Sequence, residues 1–162
     1  MADTIQRNMI ADYLEVGEGD TKAYTLMGAG FNSLNENPTA QTVKKTYIND
    51  KSATTIIKGY ETVFPFDSDL IKEEKAVMAL YNVGRNQLTG SAAEFNYVRV
   101  ELFNPETDGG TSYKARKFKV SAEVSNFEGA GGEPIKVTGN LNSVGDFVSG
   151  TFDVETKTFT EV

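Results

Sequence analysis

The chain has 162 residues, a formal net charge of −7, and neither cysteine nor histidine. Its length suits one domain with a single hydrophobic core. The missing residue types exclude disulfides, thiolate chemistry, Ser-His-Asp triads and imidazole metal sites. The negative net charge has the wrong sign for a protein that binds phosphates through clustered Lys and Arg.

Signals for membrane insertion and export are also missing. No apolar run approaches the roughly twenty residues that a bilayer span needs, and the first residues do not place a basic segment before an apolar one. We therefore expect a folded protein, made and kept in the cytoplasm, with a single domain over residues 1–162.

Residues 30–52 form a polar stretch in which Asn, Thr, Gln, Lys and Pro dominate and apolar residues are sparse. Such long segments in compact domains are usually functional or disordered. The composition predicts a long projecting loop or hairpin across these residues, which in an assembling subunit would contact a neighbour. Residues 54–66 are rich in β-formers and predict one strand, with Pro65 at its end or at an edge position.

One later stretch has a helical period and predicts a helix over about residues 69–83. Its shared apolar face consists of Leu70, Val77, Leu80 and Tyr81. Residues 67–69 are the candidate caps at its start, and Gly84 would lie just past its end.

Alternating side chains then predict a β-hairpin. In residues 95–103, one face carries Val98, Val100 and Leu102 and the other carries Tyr97, Arg99 and Glu101. This period of two is typical of a half-buried strand, and residues 117–124 repeat it. The intervening Asp108-Gly109-Gly110 turn predicts that the two strands pair antiparallel.

The carboxyl-terminal third also reads as β. Residues 135–141 and 147–153 predict a pair of strands around a turn at 142–146, and residues 156–160 predict another strand. A mainly β chain with one helix favours an antiparallel β-sandwich or barrel-like fold, in which the flanking α-helix covers an open end or edge.

Two acidic motifs are better explained by local structure than by a ligand. Asp67-Ser68-Asp69 is similar to a calcium loop, but an EF-hand needs an oxygen ligand and a glycine where Ile71 and Lys72 stand, so helix capping is favoured. A second group surrounds glycines without a partner residue for acid-base work, so a solvated turn is favoured there. It comprises Glu15, Glu18 and Asp20.

A basic run and an aromatic set also have ordinary structural explanations. The basic run has acidic neighbours on a predicted strand, where charges commonly protect an exposed edge, so we disfavour a DNA contact. It comprises Lys114, Arg116, Lys117 and Lys119. The aromatic set could stack on a sugar, but aromatics at strand spacing are normally core residues. It comprises Tyr47, Tyr60, Phe64, Phe66 and Tyr97.

The order of several motifs resembles that of the major tail proteins of long-tailed, siphovirus-like bacteriophages. The first patch, similar to their loop and following strand, runs through Tyr47-Ile48-Asn49-Asp50-Lys51-Ser52-Ala53-Thr54, Lys58-Gly59-Tyr60 and Phe64-Pro65-Phe66. The second is similar to their carboxyl-terminal end in phages or prophages of Gram-positive bacteria. It runs through Glu133-Pro134-Ile135-Lys136-Val137-Thr138-Gly139, Gly145-Asp146, Gly150-Thr151-Phe152-Asp153 and Lys157-Thr158-Phe159-Thr160.

This resemblance implies a tail tube fold, a β-sandwich whose subunits join edge to edge in hexameric rings that stack into a tube. Residues 35–53 would contact the next ring, through Asn35, Asn37, Lys44, Lys45, Tyr47, Asn49, Asp50 and Lys51. The partners would be further copies of the chain and other tail proteins such as an initiator, a tape measure protein and a terminator. DNA would pass through the lumen without specific binding, and no cofactor, metal or catalytic residue is implied.

The sequence therefore favours a non-enzymatic structural protein of the virion tail, assembled in the bacterial host cytoplasm as a conduit for DNA ejection. Two other classes stay open. A carbohydrate-binding β-sandwich module of a virion or cell surface would be a monomer that glycans stabilise. An enzyme would need a deep pocket with convergent carboxylates.

Overall fold

The computed structural model describes residues 3–162, which form a mainly β structure with one α-helix. The strands are β1 (Ile10–Val16), β2 (Ala23–Leu26), β3 (Phe31–Leu34), β4 (Ala40–Lys45), β5 (Thr54–Tyr60), β6 (Val63–Asp69), β7 (Glu94–Pro105), β8 (Ser112–Glu128), β9 (Lys136–Ser143), β10 (Val148–Asp153) and β11 (Thr158–Glu161). The helix is α1 (Lys75–Arg85). Within residues 3–162, no helix has the length and apolar character needed to cross a bilayer.

Nine strands form one antiparallel sheet that curls into a half-barrel in the order β2-β1-β7-β8-β9-β6-β3. The sheet branches at β8, the longest strand, because the first part of β8 pairs with β10 and its last part pairs with β9. β11 continues the branch from β10. The curled antiparallel sheet and its single helix confirm the predicted fold class.

Two apolar cores lie on opposite faces of β1, β7 and β8, because neighbouring residues of these strands belong to different clusters. The larger core includes Leu14 and Tyr97, and α1 covers it with Leu80 and Val83. The smaller core contains Tyr13, Val98, Val100, Ala115 and Phe152. There the ring of Phe152 packs 4.5 Å from that of Tyr13, so β10 folds over the outer face of β1.

The predicted hairpin of β7 and β8 is confirmed, with Gly109 in the turn at φ 76°. The prediction of a half-buried β7 was wrong. Four consecutive residues, Tyr97 to Val100, are all buried, because α1 and the larger core cover one face and the β10–β11 branch covers the other. The strands predicted at 135–141 and 147–153 exist as β9 and β10, but they pair with β8 and not with each other.

The predicted helix begins six residues too early. Asp67, Ser68 and Asp69 are not its caps, because they continue β6 and pair with Thr138, Val137 and Lys136 of β9. The helix also continues through Gly84 and ends at Arg85. A Cβ atom at Gly84 would lie 2.6 Å from Phe127 and 2.8 Å from Val124, so glycine is needed for close packing of α1 on β8 rather than for ending the helix.

The single strand predicted over residues 54–66 was also wrong. The segment contains two strands, β5 and β6, which belong to different sheets. Pro65 lies inside β6, at the point where pairing with β3 ends at Leu34 and Phe66. The β-forming composition that suggested one strand therefore spans an exposed strand, β5, and a strand whose alternate side chains are buried, β6.

Candidate assembly surface

β4 and β5 form a two-stranded sheet of their own, which we call the projecting hairpin (residues 40–60). β-Branched residues favour both strands, and the tip closes where Asp50 accepts the backbone N–H of Tyr47 at 3.0 Å and donates its own backbone N–H to the Tyr47 carbonyl at 3.0 Å. Almost every side chain of the hairpin is exposed. The predicted loop is therefore an ordered hairpin that extends further along the chain, to Tyr60.

Large apolar side chains are concentrated on this hairpin. Ile48 at the tip is 102% exposed, and five other large apolar side chains of the hairpin are exposed as well. They are Val43, Tyr47, Ile56, Ile57 and Tyr60. Exposed apolar groups gathered on one element of a folded domain mark a binding surface more often than scattered ones do.

The predicted contact residues separate into two groups. Lys44 and Lys45 lie on β4, and the tip carries Tyr47, Asn49, Asp50 and Lys51. The other two lie at the base, bonded to the domain. Asn35 donates its backbone N–H to Pro65 at 3.0 Å, and Asn37 exchanges two backbone hydrogen bonds of 2.8 and 2.9 Å with Val63.

The base of the hairpin is narrow and sharply turned. The backbone N–H of Glu61 donates to the carbonyl of Thr39 at 3.0 Å, so the chain leaves and re-enters the domain at one point. Thr39 has φ 49°, a left-handed conformation that a β-branched residue rarely adopts. Such strain persists only where the surroundings fix the backbone, so the direction of the hairpin is set by its base.

A carboxylate just before the hairpin ties this base to the sheet. Glu36 accepts a bidentate pair from Arg116 of β8, at 2.7 and 2.8 Å, and lies 3.4 Å from Arg99 of β7. Planar bidentate pairing of guanidinium and carboxylate is both directional and strong. The chain entering the hairpin is therefore held against two strands of the half-barrel.

The ion pairs continue into the sheet through Asp12 of β1, whose side chain is 1% exposed. Asp12 lies 3.4 Å from Arg99, pairs with Arg7 from the amino-terminal segment, and accepts a hydrogen bond from the Tyr97 hydroxyl. Burial raises the pKa of Tyr97 well above its ordinary value, and the Asp12 charge raises it further, so the phenol stays protonated and donates. We call the set Arg7, Asp12, Glu36, Arg99 and Arg116, with Tyr97, the anchor network.

The anchor network was not identified from the sequence, apart from the placement of Arg99 on a polar strand face and Arg116 in a basic run. A signal for part of it exists. Asp12 interrupts the run from Ile10 to Leu14, and Arg99 stands between two valines. Single charges of opposite sign inside apolar runs indicate buried partners, since unpaired charges are costly to bury.

The remaining candidate residues do not gather into one site. Glu15 accepts a hydrogen bond from Asn96, whereas Glu18 and Asp20 lie in an exposed turn. Asp67 and Asp69 both accept from the Asn32 amide, at 3.2 and 3.1 Å. Ser68 between them is buried and donates to the Val137 carbonyl.

Side chains alternate between the two faces of β8, so the residues of the basic run are divided between those faces. Arg116 pairs with Glu36, Lys117 lies 5.5 Å from the ring of Phe159, and Lys119 pairs with Glu94 at 3.1 Å. Lys114 is exposed. The aromatic set is divided as well, because Phe64, Phe66 and Tyr97 are core residues whereas Tyr47 and Tyr60 lie on the projecting hairpin.

Comparison with known proteins adds no family assignment. A scan of the chain against protein-family models gives no match, and a search of curated protein sequences gives none either.

Proposed function

We propose that this chain is the repeating subunit of a phage tail tube, which polymerises as stacked hexameric rings and forms the conduit for DNA ejection. The proposal places the protein in the virion tail, assembled in the cytoplasm of a bacterial host. It rests on the motif resemblance and on one structural observation, the projecting hairpin with its exposed apolar side chains.

The hairpin supports an assembly role because a two-stranded sheet is marginally stable alone in water. Here both strands are exposed along nearly their whole length, yet the base is fixed by backbone bonds and by the ion pairs of Glu36. An element that is firmly held but covers little of its own domain is suited to contact a neighbour.

The edges of the sheet support ring formation. β2 and β3 end the curled sheet, and within residues 3–162 each pairs with one strand only. Free strand edges offer backbone donors and acceptors to another chain, and heterologous pairing closes into a ring when the rotation between copies permits. The net charge of −7 further suits a conduit, because like charge keeps the duplex from adhering to the wall.

Self-assembly is tested directly by sedimentation velocity over a range of protein concentrations, with negative-stain electron microscopy of the same samples. We expect rings or tubes. A monomer at every concentration, even with a tail-initiation complex added, would refute the proposal.

Removal of the hairpin tests the observation on which the proposal rests. The Thr39 carbonyl and the Glu61 amide are 3.0 Å apart, so a short Gly-Ser linker replaces residues 40–60 without moving the base. Because the hairpin buries little, the shortened domain should fold with nearly the same thermal midpoint, while stacking of rings into tubes is lost. Tubes of unchanged length would contradict the role of the hairpin.

Point variants separate a specific contact from general surface effects. Ile48→Asp places a charge at the fully exposed tip and should shorten or abolish tubes. Leu88→Asp is the control on another surface, since Leu88 is an apolar residue that is 38% exposed and follows α1, and thermal midpoints of both variants establish that each is folded. Equal effects of the two substitutions on tube length would show that the tip has no special contact.

A further inference from the structure

The domain has two chemically different ends, joined by β6. The projecting hairpin emerges beside Val63, the first residue of β6. Asp69, the last residue, pairs with Lys136, which also pairs with Glu128 at the end of β8. Seven residues of strand separate the two ends by about 20 Å.

The hairpin end is basic. Residues 40–60 contain four lysines and one aspartate, a net charge of +3 in a chain whose total is −7. The remaining 141 residues therefore carry −10. The positive charge accompanies the exposed apolar side chains of the hairpin, Ile48 among them.

The opposite end is acidic and also carries apolar groups. We define the acidic end as residues 67–75 and 127–136, which contain six carboxylates and three lysines, a net charge of −3. Phe127 and Ile135 are exposed there. Backbone contacts hold the segments together, since the N–H of Leu70 donates to the Ile135 carbonyl at 2.7 Å.

We infer that the projecting hairpin of one copy docks on the acidic end of a second copy, so that subunits associate head to tail along the direction of β6. The inference rests on the proposed function, because it identifies the surface that receives the hairpin. The two surfaces have opposite net charges of equal size, and each lies beside exposed apolar side chains. Contact between them is therefore favoured over contact between two surfaces of like charge. The two contacting surfaces differ, so the contact is heterologous, and copies related by translation along β6 repeat it as an open stack rather than as a closed ring.

The contact should depend on salt, because its charged groups are exposed. The Debye length falls from about 10 Å at 0.1 M salt to about 3 Å at 1 M, which screens attraction between surfaces. Stacking should weaken as salt rises.

Charge reversal in both partners gives the decisive test. Lys44→Glu with Lys51→Glu changes the hairpin charge from +3 to −1, and Glu128→Lys with Glu133→Lys changes the acidic end from −3 to +1. All four side chains are exposed, so the fold should be retained. We expect each pair alone to lower the association constant for stacking by about tenfold or more, since like charges repel across an interface.

Rescue distinguishes docking from a general effect of charge. The chain with all four substitutions should stack again, and so should a mixture of the two double variants, because each then finds a complementary surface. Glu18→Lys with Asp20→Lys, in the exposed turn between β1 and β2, is the control with the same change of net charge as the acidic-end pair, and should stack like the unmodified chain. Thermal midpoints of all variants establish that each is folded.

The outcomes separate this inference from the proposed function. If the unmodified chain forms tubes but neither double variant changes stacking, or if the combined chain is not rescued, the docking inference is wrong and the tube subunit proposal stands. If the unmodified chain never assembles, both fail.

Discussion

Replacing Glu36 by Gln tests how strongly the anchor network holds the base of the hairpin. The amide keeps one acceptor oxygen but turns an NH2 group towards Arg116, so one of the two short bonds is lost together with the charge. A hydrogen bond to a charged group contributes about 1.5–3 kcal/mol, and removing one partner of a buried pair costs up to about 5 kcal/mol. Because Arg116 is 29% exposed, we expect the loss to match a single hydrogen bond to a charged group rather than a fully buried pair. The unfolding free energy should fall by about 2–3 kcal/mol.

The assay is thermal unfolding followed by circular dichroism. For a domain of this length each kcal/mol lowers the midpoint by about 2–4 °C, so Glu36→Gln should lower it by about 4–12 °C. Glu94→Gln is the control, because Glu94 pairs with Lys119, whose side chain is 57% exposed, and such pairs contribute at most about 1 kcal/mol. Equal midpoints for the two variants would show that Glu36 stabilises the domain no more than an exposed ion pair does.

Two further substitutions test packing and ionisation. Gly84→Ala should destabilise the domain by about 1–3 kcal/mol despite the better helix propensity of alanine, because the new Cβ meets Phe127 and Val124; an unchanged urea midpoint would contradict this. Tyr97→Phe should cost about 1–3 kcal/mol at about pH 8, since Asp12 loses a donor. The raised pKa of Tyr97 means that the unfolded chain releases this proton near pH 10 while the folded chain keeps it, so stability falls above that pH. The fall in urea midpoint between about pH 10 and 11.5 should be shallower in the variant, and parallel curves would contradict the assignment.

Local patterns in the sequence predicted the elements whose partners are near in the chain. The β7–β8 hairpin follows from alternation on both sides of a glycine turn. The start of α1 could not be placed in this way, because Asp67 to Asp69 are recruited by β9, almost seventy residues later. β1 and β2 were missed because Asp12 interrupts the apolar run and because β1 is stabilised by pairing with both β2 and β7, whose partner residues lie elsewhere in the chain.

Distance along the sequence also explains which parts of the candidate surface could be predicted. The polar composition of residues 30–52 was enough to predict a projecting element, and six of the eight predicted contact residues lie on the hairpin. The bond between Glu36 and Arg116 joins positions 80 residues apart, and no pattern near either residue identifies the other. The exposed residues were therefore predictable, and the residues that orient them were not.

Any rotation at the base of the hairpin, where Thr39 meets Glu61, is amplified at its tip. Over an arm of about 20 Å, a rotation of about 5° at the base moves Ile48 by about 2 Å, enough to break a hydrogen bond at the tip. In the proposed tube, small errors of angle at the base would therefore become errors of register between copies. The Arg116–Glu36 ion pair lies beside this base, so a few fixed atoms there would determine the accuracy of the proposed contact at the distant tip.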